Sequence, residues 1–322
     1  MQVLALLFPG QGSQEVGMGH DVYEASAVAR AVFDAADAAL GFPLSKLCFE
    51  GPEEELLRTE IQQPAILTTG VALLRALEER TAITPAYVAG HSLGEYTALV
   101  ASGAIDFEDA VRLVHARGRF MQEAVPEGHG AMAAVLGLEA IEVDQACEGA
   151  RAATGKVVAA ANYNSPKQTV IAGDAAAVEV ACTRARREGA KRTIPLAVSA
   201  PFHCELMAPA AAKLEQELAR VRFRDAHPPV VTNVEAVPNS TAARMPELLA
   251  AQVTAPVRFS EMVLNLTELG VDRFLEIGAG RVLTGLVARI GRRLVRANLS
   301  SQADLADVEV FVTGEGGPDG SR

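Results

Sequence analysis

Cysteine is scarce in this 322-residue sequence and lies scattered at Cys48, Cys147, Cys182 and Cys204. No C-x-x-C pair occurs, so neither a disulfide framework nor a thiolate zinc site is expected. The four thiols read as reduced and the protein as cytoplasmic. Basic charge is also in deficit: 29 Lys and Arg against 40 Asp and Glu leave a net charge of −11. Non-specific grip on nucleic acid needs a basic footprint, which argues against that class of function. A local arginine can still receive an acidic substrate, and a local basic patch an acidic protein. No apolar run approaches the roughly 20 residues that span a bilayer, so no membrane partner is expected. The run Val3–Phe8 lacks the basic flank and the length of a secretion signal and reads as a buried strand. No internal repeat is visible, and nothing demands an oligomer, so a monomer is expected.

What is present is an alternation of short β-type runs with longer helical patterns, the signature of an α/β protein. In the first part, strands are expected at Val3–Phe8 and Ala86–Ala89. Helices are expected at 23–40, 52–57, 64–79, 95–101 and 107–123, the last with Asp106 as N-cap. The middle reads differently. Strands at 131–136, 157–163, 168–172 and 191–198, with helices at 140–150 and 175–188, follow the order β-α-β-β-α-β, a ferredoxin-like α+β pattern. Residues 127–197 are therefore expected to form a small insert in a larger domain made of 1–126 and 198–298. The remainder, 299–322, reads as an acidic, flexible tail.

Three stretches carry chemistry. Gly90-His91-Ser92-Leu93-Gly94 sits between an apolar run and a helical pattern, the G-x-S-x-G arrangement. Glycines on either side of the serine permit a tight strand-to-helix turn that exposes the Ser92 hydroxyl. The Leu93 N–H, at the helix N-terminus, then faces any oxyanion formed there. The second stretch, Phe8-Pro9-Gly10-Gln11-Gly12-Ser13-Gln14, follows the first strand at its carboxyl end, where open α/β sheets bind ligands. It lacks the third glycine of a dinucleotide site.

A serine nucleophile needs a base. Of six histidines, His91 is a turn residue, His115 lies within a helix, His129 and His227 sit in Pro/Gly-rich linkers, and His20 has no evident role. His203 stands out in the third stretch: it follows Ser199-Ala200-Pro201-Phe202, where the chain returns from the insert to the main domain, a place that faces a cleft. Asp225 and Glu235 are candidates to orient it, although neither has a distinctive context, and a carbonyl or an amide could do the same work. Cys204 reads as a small apolar helix residue. By position alone Arg117 reads as a solvated helix residue, with Gly118 beside it hinting at close packing.

Taken together, these segments resemble the malonyl-CoA:acyl carrier protein transacylase family. The matching motifs run from Phe8-Pro9-Gly10-Gln11-Gly12-Ser13 to Glu276-Ile277-Gly278. Between them stand Gln63-Pro64-Ala65, the elbow with Glu95-Tyr96, Arg117-Gly118-Arg119-Phe120-Met121-Gln122, Asn162-Tyr163-Asn164-Ser165-Pro166 and Val198-Ser199-Ala200-Pro201-Phe202-His203. The resemblance implies a hydrolase-like α/β domain with a ferredoxin-like insert. It implies that Ser92 is acylated by malonyl, that His203 is its base, and that the N–H groups of Gln11 and Leu93 form the oxyanion hole. It reverses the positional reading of Arg117, which would pair with the malonyl carboxylate. It assigns the main-chain carbonyl of Gln252 to orient His203, although Ala255 stands where the family often has Asn. Gln63, Asn162 and Met121 match substrate-pocket positions, and Phe202 would lie near the malonyl α-carbon. The implied substrate is malonyl-CoA and the partner an acyl carrier protein bearing phosphopantetheine, of fatty acid or polyketide synthesis, with no metal or redox cofactor. Lys191 and Arg192 are candidates for meeting an acidic carrier. The same serine would also suit a proofreading acyl hydrolase, and a non-catalytic carrier-docking module is a third reading. Arg117 speaks against the hydrolase, which has no use for it on plain acyl chains.

Overall fold

A computed structural model describes residues 2–314. Its strands in chain order are β1 (Leu4–Phe8), β2 (Tyr87–Gly90), β3 (Gly130–Leu136), β4 (Val158–Ser165), β5 (Gln168–Asp174), β6 (Arg192–Pro195), β7 (Val230–Val231), β8 (Pro238–Asn239), β9 (Arg273–Ile277) and β10 (Val295–Leu299). They form two sheets. The larger has the order β10-β9-β1-β2-β7-β8 and the smaller β4-β5-β3-β6.

The larger sheet is parallel except where β8 turns back on β7. Its centre is β1, with Leu6 opposite Val88 on one side and Leu275 on the other. Helices cover both faces of such a sheet, so its strands are apolar throughout rather than alternating. Accordingly all five residues of β1 are buried. The pleat divides them: Leu4, Leu6 and Phe8 join one core, Ala5 and Leu7 the other.

The smaller sheet is antiparallel throughout. With the helices Ala140–Thr154 and Ala175–Arg187 it runs β-α-β-β-α-β along the chain. Ala133, Val135 and Ile171 pack beneath those helices, whereas Met132, Ala134 and Val170 face the core of the larger layer. That second face sets Met132 and Asn162 beside the site described below.

Several elements differ from the sequence expectation. The expected helix 23–40 is broken at Ser26, which caps the helix Ala27–Leu40 through the Ala29 N–H at 3.2 Å. Asp106 makes no side-chain cap and instead pairs with Arg224. The expectation of a flexible tail from 299 onward is corrected over its described part. Leu299 closes β10, and Leu305–Thr313 is a helix with Leu305 and Val308 buried. Arg80 reaches Glu309 in that helix at 2.9 Å. Hydrophobic residues three apart supply the burial that an acidic composition obscured. Residues 315–322 lie outside the described part.

Candidate active site

The site begins at the end of β2. Ser92 has φ 52°, in the left-handed region that a residue with a side chain enters at a cost of about 1–3 kcal/mol. The turn is so tight that a Cβ at Gly90 would collide with the Gly94 backbone, and one at Gly94 with the Phe8 carbonyl. Asn233, after β7, holds the strained turn in place. Its Oδ1 accepts from the Ser92 N–H at 2.6 Å, and its Nδ2 donates to the Gly90 carbonyl at 2.7 Å.

His203 arrives where the chain comes back from the smaller sheet, also with positive φ, 59°. Its Nε2 lies 2.7 Å from Ser92 Oγ and its Nδ1 2.8 Å from the Gln252 carbonyl. A carbonyl can only accept, so Nδ1 carries the proton and Nε2 offers its lone pair to the serine hydroxyl. Burial lowers the imidazole pKa to about 3, with the nearby Arg117 charge adding to the shift. The histidine is therefore a neutral base at neutral pH. Neither acidic candidate is its partner: Asp225 accepts from the Ala242 N–H, and Glu235 pairs with Arg244. Cys204 is buried, bonds the Pro201 carbonyl at 3.1 Å, and has its pKa raised to about 11 by burial, so it is held as a thiol.

Arg117 is completely buried on the helix Phe107–Glu123. Gly118 permits this, since a Cβ there would stand 2.5 Å from the Thr59 carbonyl of the helix Thr59–Arg80. The guanidinium donates from Nη1 to Gln63 Oε1 at 2.7 Å, and from Nη2 to Gln252 Oε1 at 2.9 Å and Ser92 Oγ at 3.1 Å. All three acceptors are uncharged, and Nε is buried with no partner among the described residues. The Tyr96 ring lies 5.4 Å from the guanidinium carbon. Burial lowers the arginine pKa, opposed by Tyr96 and Glu95, yet a guanidinium stays charged. A buried cation held by neutral amides is suited to an anion brought by a ligand.

In front of Ser92 opens a cavity of about 530 Å³, the size range of small-ligand sites. Gln11, His91, Asn162, Phe202 and His203 line it with Ser92. Gln11 donates its side-chain amide to Gln62 Oε1 at 2.5 Å, and among the described residues neither its main-chain N–H nor that of Leu93 has a protein acceptor. Arg117, Gln63, Gln252, Leu93 and Met121 do not form the wall. They are buried beneath the lining residues' surface, with Met121 Sδ 3.8 Å from Gln63 Nε2. Three contributors had no role in the sequence reading: Asn233 and Gln62, and Glu95, which appeared there only as part of the elbow motif. His91, read as a turn residue, bonds Asn164 Oδ1 at 2.8 Å while facing the cavity.

A serine on a strained elbow, a neutral histidine within hydrogen-bond reach and two unused main-chain amides form an arrangement that can carry covalent acyl chemistry. The protein is an acyltransferase: residues 5–308 match the family described as "Acyl transferase domain". The chain is 50% identical over 294 residues to the malonyl CoA-acyl carrier protein transacylase of Bacillus subtilis, covering 91% of this chain and 92% of that protein. To the protein of the same name from Escherichia coli K12 it is 47% identical over 306 residues, 95% of this chain and 98% of the relative. A solved malonyl-transacylase, in complex with its holo acyl carrier protein of a type II PKS, superposes with a TM-score of 0.93 at 45% identity, over 97% of this chain and 100% of that one. The chain belongs to the malonyl-CoA:acyl carrier protein transacylase family.

Proposed function

We propose that this cytoplasmic enzyme moves a malonyl group from malonyl-CoA to the phosphopantetheine thiol of a holo acyl carrier protein by way of an ester on Ser92. The observation that carries the reading is Arg117, a buried cation without a carboxylate partner, one hydrogen bond from the nucleophile. A malonyl group on Ser92 brings a free carboxylate into that neighbourhood, where a guanidinium can grip it through two N–H groups. Asn162 and Phe202 bound the acyl chamber, and Gln63 and Met121 back the arginine.

In the first half-reaction Ser92 Oγ attacks the thioester carbon and gives its proton to His203 Nε2. The N–H groups of Gln11 and Leu93 receive the developing oxyanion. The C–S bond then breaks, and coenzyme A leaves as a thiol with the proton from His203. In the second, the carrier thiol loses its proton to His203 and attacks the ester carbon. The Ser92–acyl bond breaks and the proton returns to Oγ. Throughout, the Gln252 carbonyl holds Nδ1–H, favoured by the imidazolium as by the imidazole. No step calls on a metal or a redox cofactor. The carrier belongs to fatty acid or polyketide synthesis, and the exposed Lys191 and Arg192 are proposed to meet its acidic surface.

The test is intact-mass analysis after mixing with malonyl-CoA, followed by addition of holo carrier protein. A malonyl adduct is expected on the wild type and not on Ser92→Ala, and it should pass to the carrier. Release as free malonate instead would favour an acyl hydrolase. No adduct on the wild type would favour a docking module.

A further inference from the structure

Glu95 is a buried acid that the proposed reaction does not use. It stands in the first turn of the helix Gly94–Ala101 with 2% of its surface exposed. Its Oε2 accepts from Gln252 Nε2 at 2.6 Å and from the Asn233 N–H at 3.0 Å. Gln252 Nε2 also donates to the Ser92 carbonyl at 3.0 Å, and Gln252 Oε1 accepts from Arg117.

An amide has a donor end and an acceptor end. Turned by half a rotation, Gln252 would set its oxygen against the Glu95 carboxylate and the Ser92 carbonyl, and its NH₂ against a guanidinium N–H. Acceptors would face acceptors and donors a donor. Only one orientation satisfies all three partners. We infer that Glu95 is a positioning residue for acyl-group selection: it locks the Gln252 amide with its oxygen toward Arg117, aiming the guanidinium without neutralising it by direct contact. A carboxylate paired directly with Arg117 would occupy the N–H groups that a substrate carboxylate needs. With the amide interposed, the protein's negative charge stays one residue away. The same Gln252 carries the carbonyl that holds His203, so one buried acid steadies both grip and base.

The inference rests on the reading that Arg117 pairs with the malonyl carboxylate. Its test uses the full chain with Glu95→Met, which removes the acceptor at similar volume, and Glu95→Gln, which keeps an acceptor oxygen without the charge. The readouts are kcat and KM for Ser92 acylation by malonyl-CoA and by acetyl-CoA, from rapid-quench intact mass, together with Tm. In Glu95→Met one N–H of the Gln252 amide and the Asn233 main-chain N–H lose their buried acceptor, which should lower malonyl kcat/KM by about ten- to a hundredfold. Acetyl transfer, which does not use the guanidinium's aim, should fall less, so the malonyl-to-acetyl ratio drops. Glu95→Gln should recover the ratio to within about fivefold, because an uncharged acceptor makes the weaker bond. An unchanged ratio in Glu95→Met, or an equal loss in both variants, overturns the inference and leaves Glu95 a helix-end carboxylate. Should Glu95→Met fail to fold, Glu95→Asp, which withdraws the oxygen by one methylene, must lower the ratio or the inference fails. A wild type that malonyl-CoA does not acylate sinks the functional reading itself. Normal wild-type acylation with an indifferent ratio sinks only the role of Glu95.

Discussion

Replacing Arg117 with alanine takes away three hydrogen bonds at once, to Gln63, Gln252 and Ser92. For the free enzyme two opposed effects follow. Gln63 Oε1 and Gln252 Oε1 lose their donors inside the protein, each at a cost of about 1–3 kcal/mol. Against that, a buried cation with no carboxylate in contact no longer has to be kept from water. Stability is therefore a poor readout, and the reaction a good one. A carboxylate gripped by two charge-assisted N–H bonds gains about 1.5–3 kcal/mol from each. The sum is about 3–6 kcal/mol, or about 10²- to 10⁴-fold in kcat/KM for malonyl-CoA. Acetyl-CoA has no carboxylate to lose and should change by about tenfold or less, the remaining effect coming from the lost bond to Ser92 Oγ. Single-turnover acylation of Ser92, followed by intact mass with both thioesters, gives the two numbers on one enzyme preparation. Equal losses for malonyl and acetyl would show that Arg117 serves the nucleophile and not the acyl carboxylate, and the substrate argument would fall.

The pH behaviour carries a second expectation. His203, with its pKa lowered from 6.5 to about 3 by burial, stays a competent base from alkaline pH down to mild acid. Acylation should therefore show no inflection of its own near pH 6.5. Glu95, raised to about 7 chiefly by burial, titrates in that region, so any step there should vanish in Glu95→Gln. A step that survives the substitution would place the histidine near its ordinary value. The sign for stability is the opposite of that for a salt-bridged histidine. Between about pH 6.5 and 3 the unfolded chain binds a proton that folded His203 refuses, so this contribution is lost as the pH falls through that window. Phe202, on the cavity wall beside His203, gives a third expectation. Phe202→Ala should raise kcat/KM for methylmalonyl-CoA relative to malonyl-CoA by about tenfold or more, the usual worth of a methyl group in a pocket. Near-equal wild-type values for the two thioesters would refute the steric idea.

The parts of the site that were readable from residues are those written locally. Five consecutive positions specify the elbow, and the Pro201-Phe202-His203 return is legible because it interrupts helical patterning. Arg117 became legible only through its family resemblance, since a lone arginine on a helix carries no sign that it is fully buried. The role of Asn233 was not legible at all, and Glu95 was legible only as a member of the elbow motif, without a role. Their partners in the site lie 138 to 157 residues away, and neither leaves a periodic or spacing signal. Asp225 and Glu235 illustrate the opposite error: acids in a suitable part of the chain are spent on the Ala242 N–H and on Arg244. The alternation of strands and helices revealed the layered architecture and the separate middle region. It missed β10, of which only Leu299 is buried, and the helix Leu305–Thr313, where acidic residues around Leu305 and Val308 made the segment read as solvated.

The placement of β1 at the middle of the larger sheet has a consequence for biosynthesis. Its partner on one side, β2, emerges about 80 residues later, but its partner on the other, β9, follows only about 270 residues later. Until then a growing chain carries a hydrophobic strand with one edge of its backbone unpaired. The Ser92 turn can be translated early, yet Asn233 and Gln252 must both follow before Ser92 and His203 are braced. The complete arrangement therefore cannot form until Gln252 and β9 have been made, and an unpaired strand edge of this kind exposes a chain to its neighbours in the meantime.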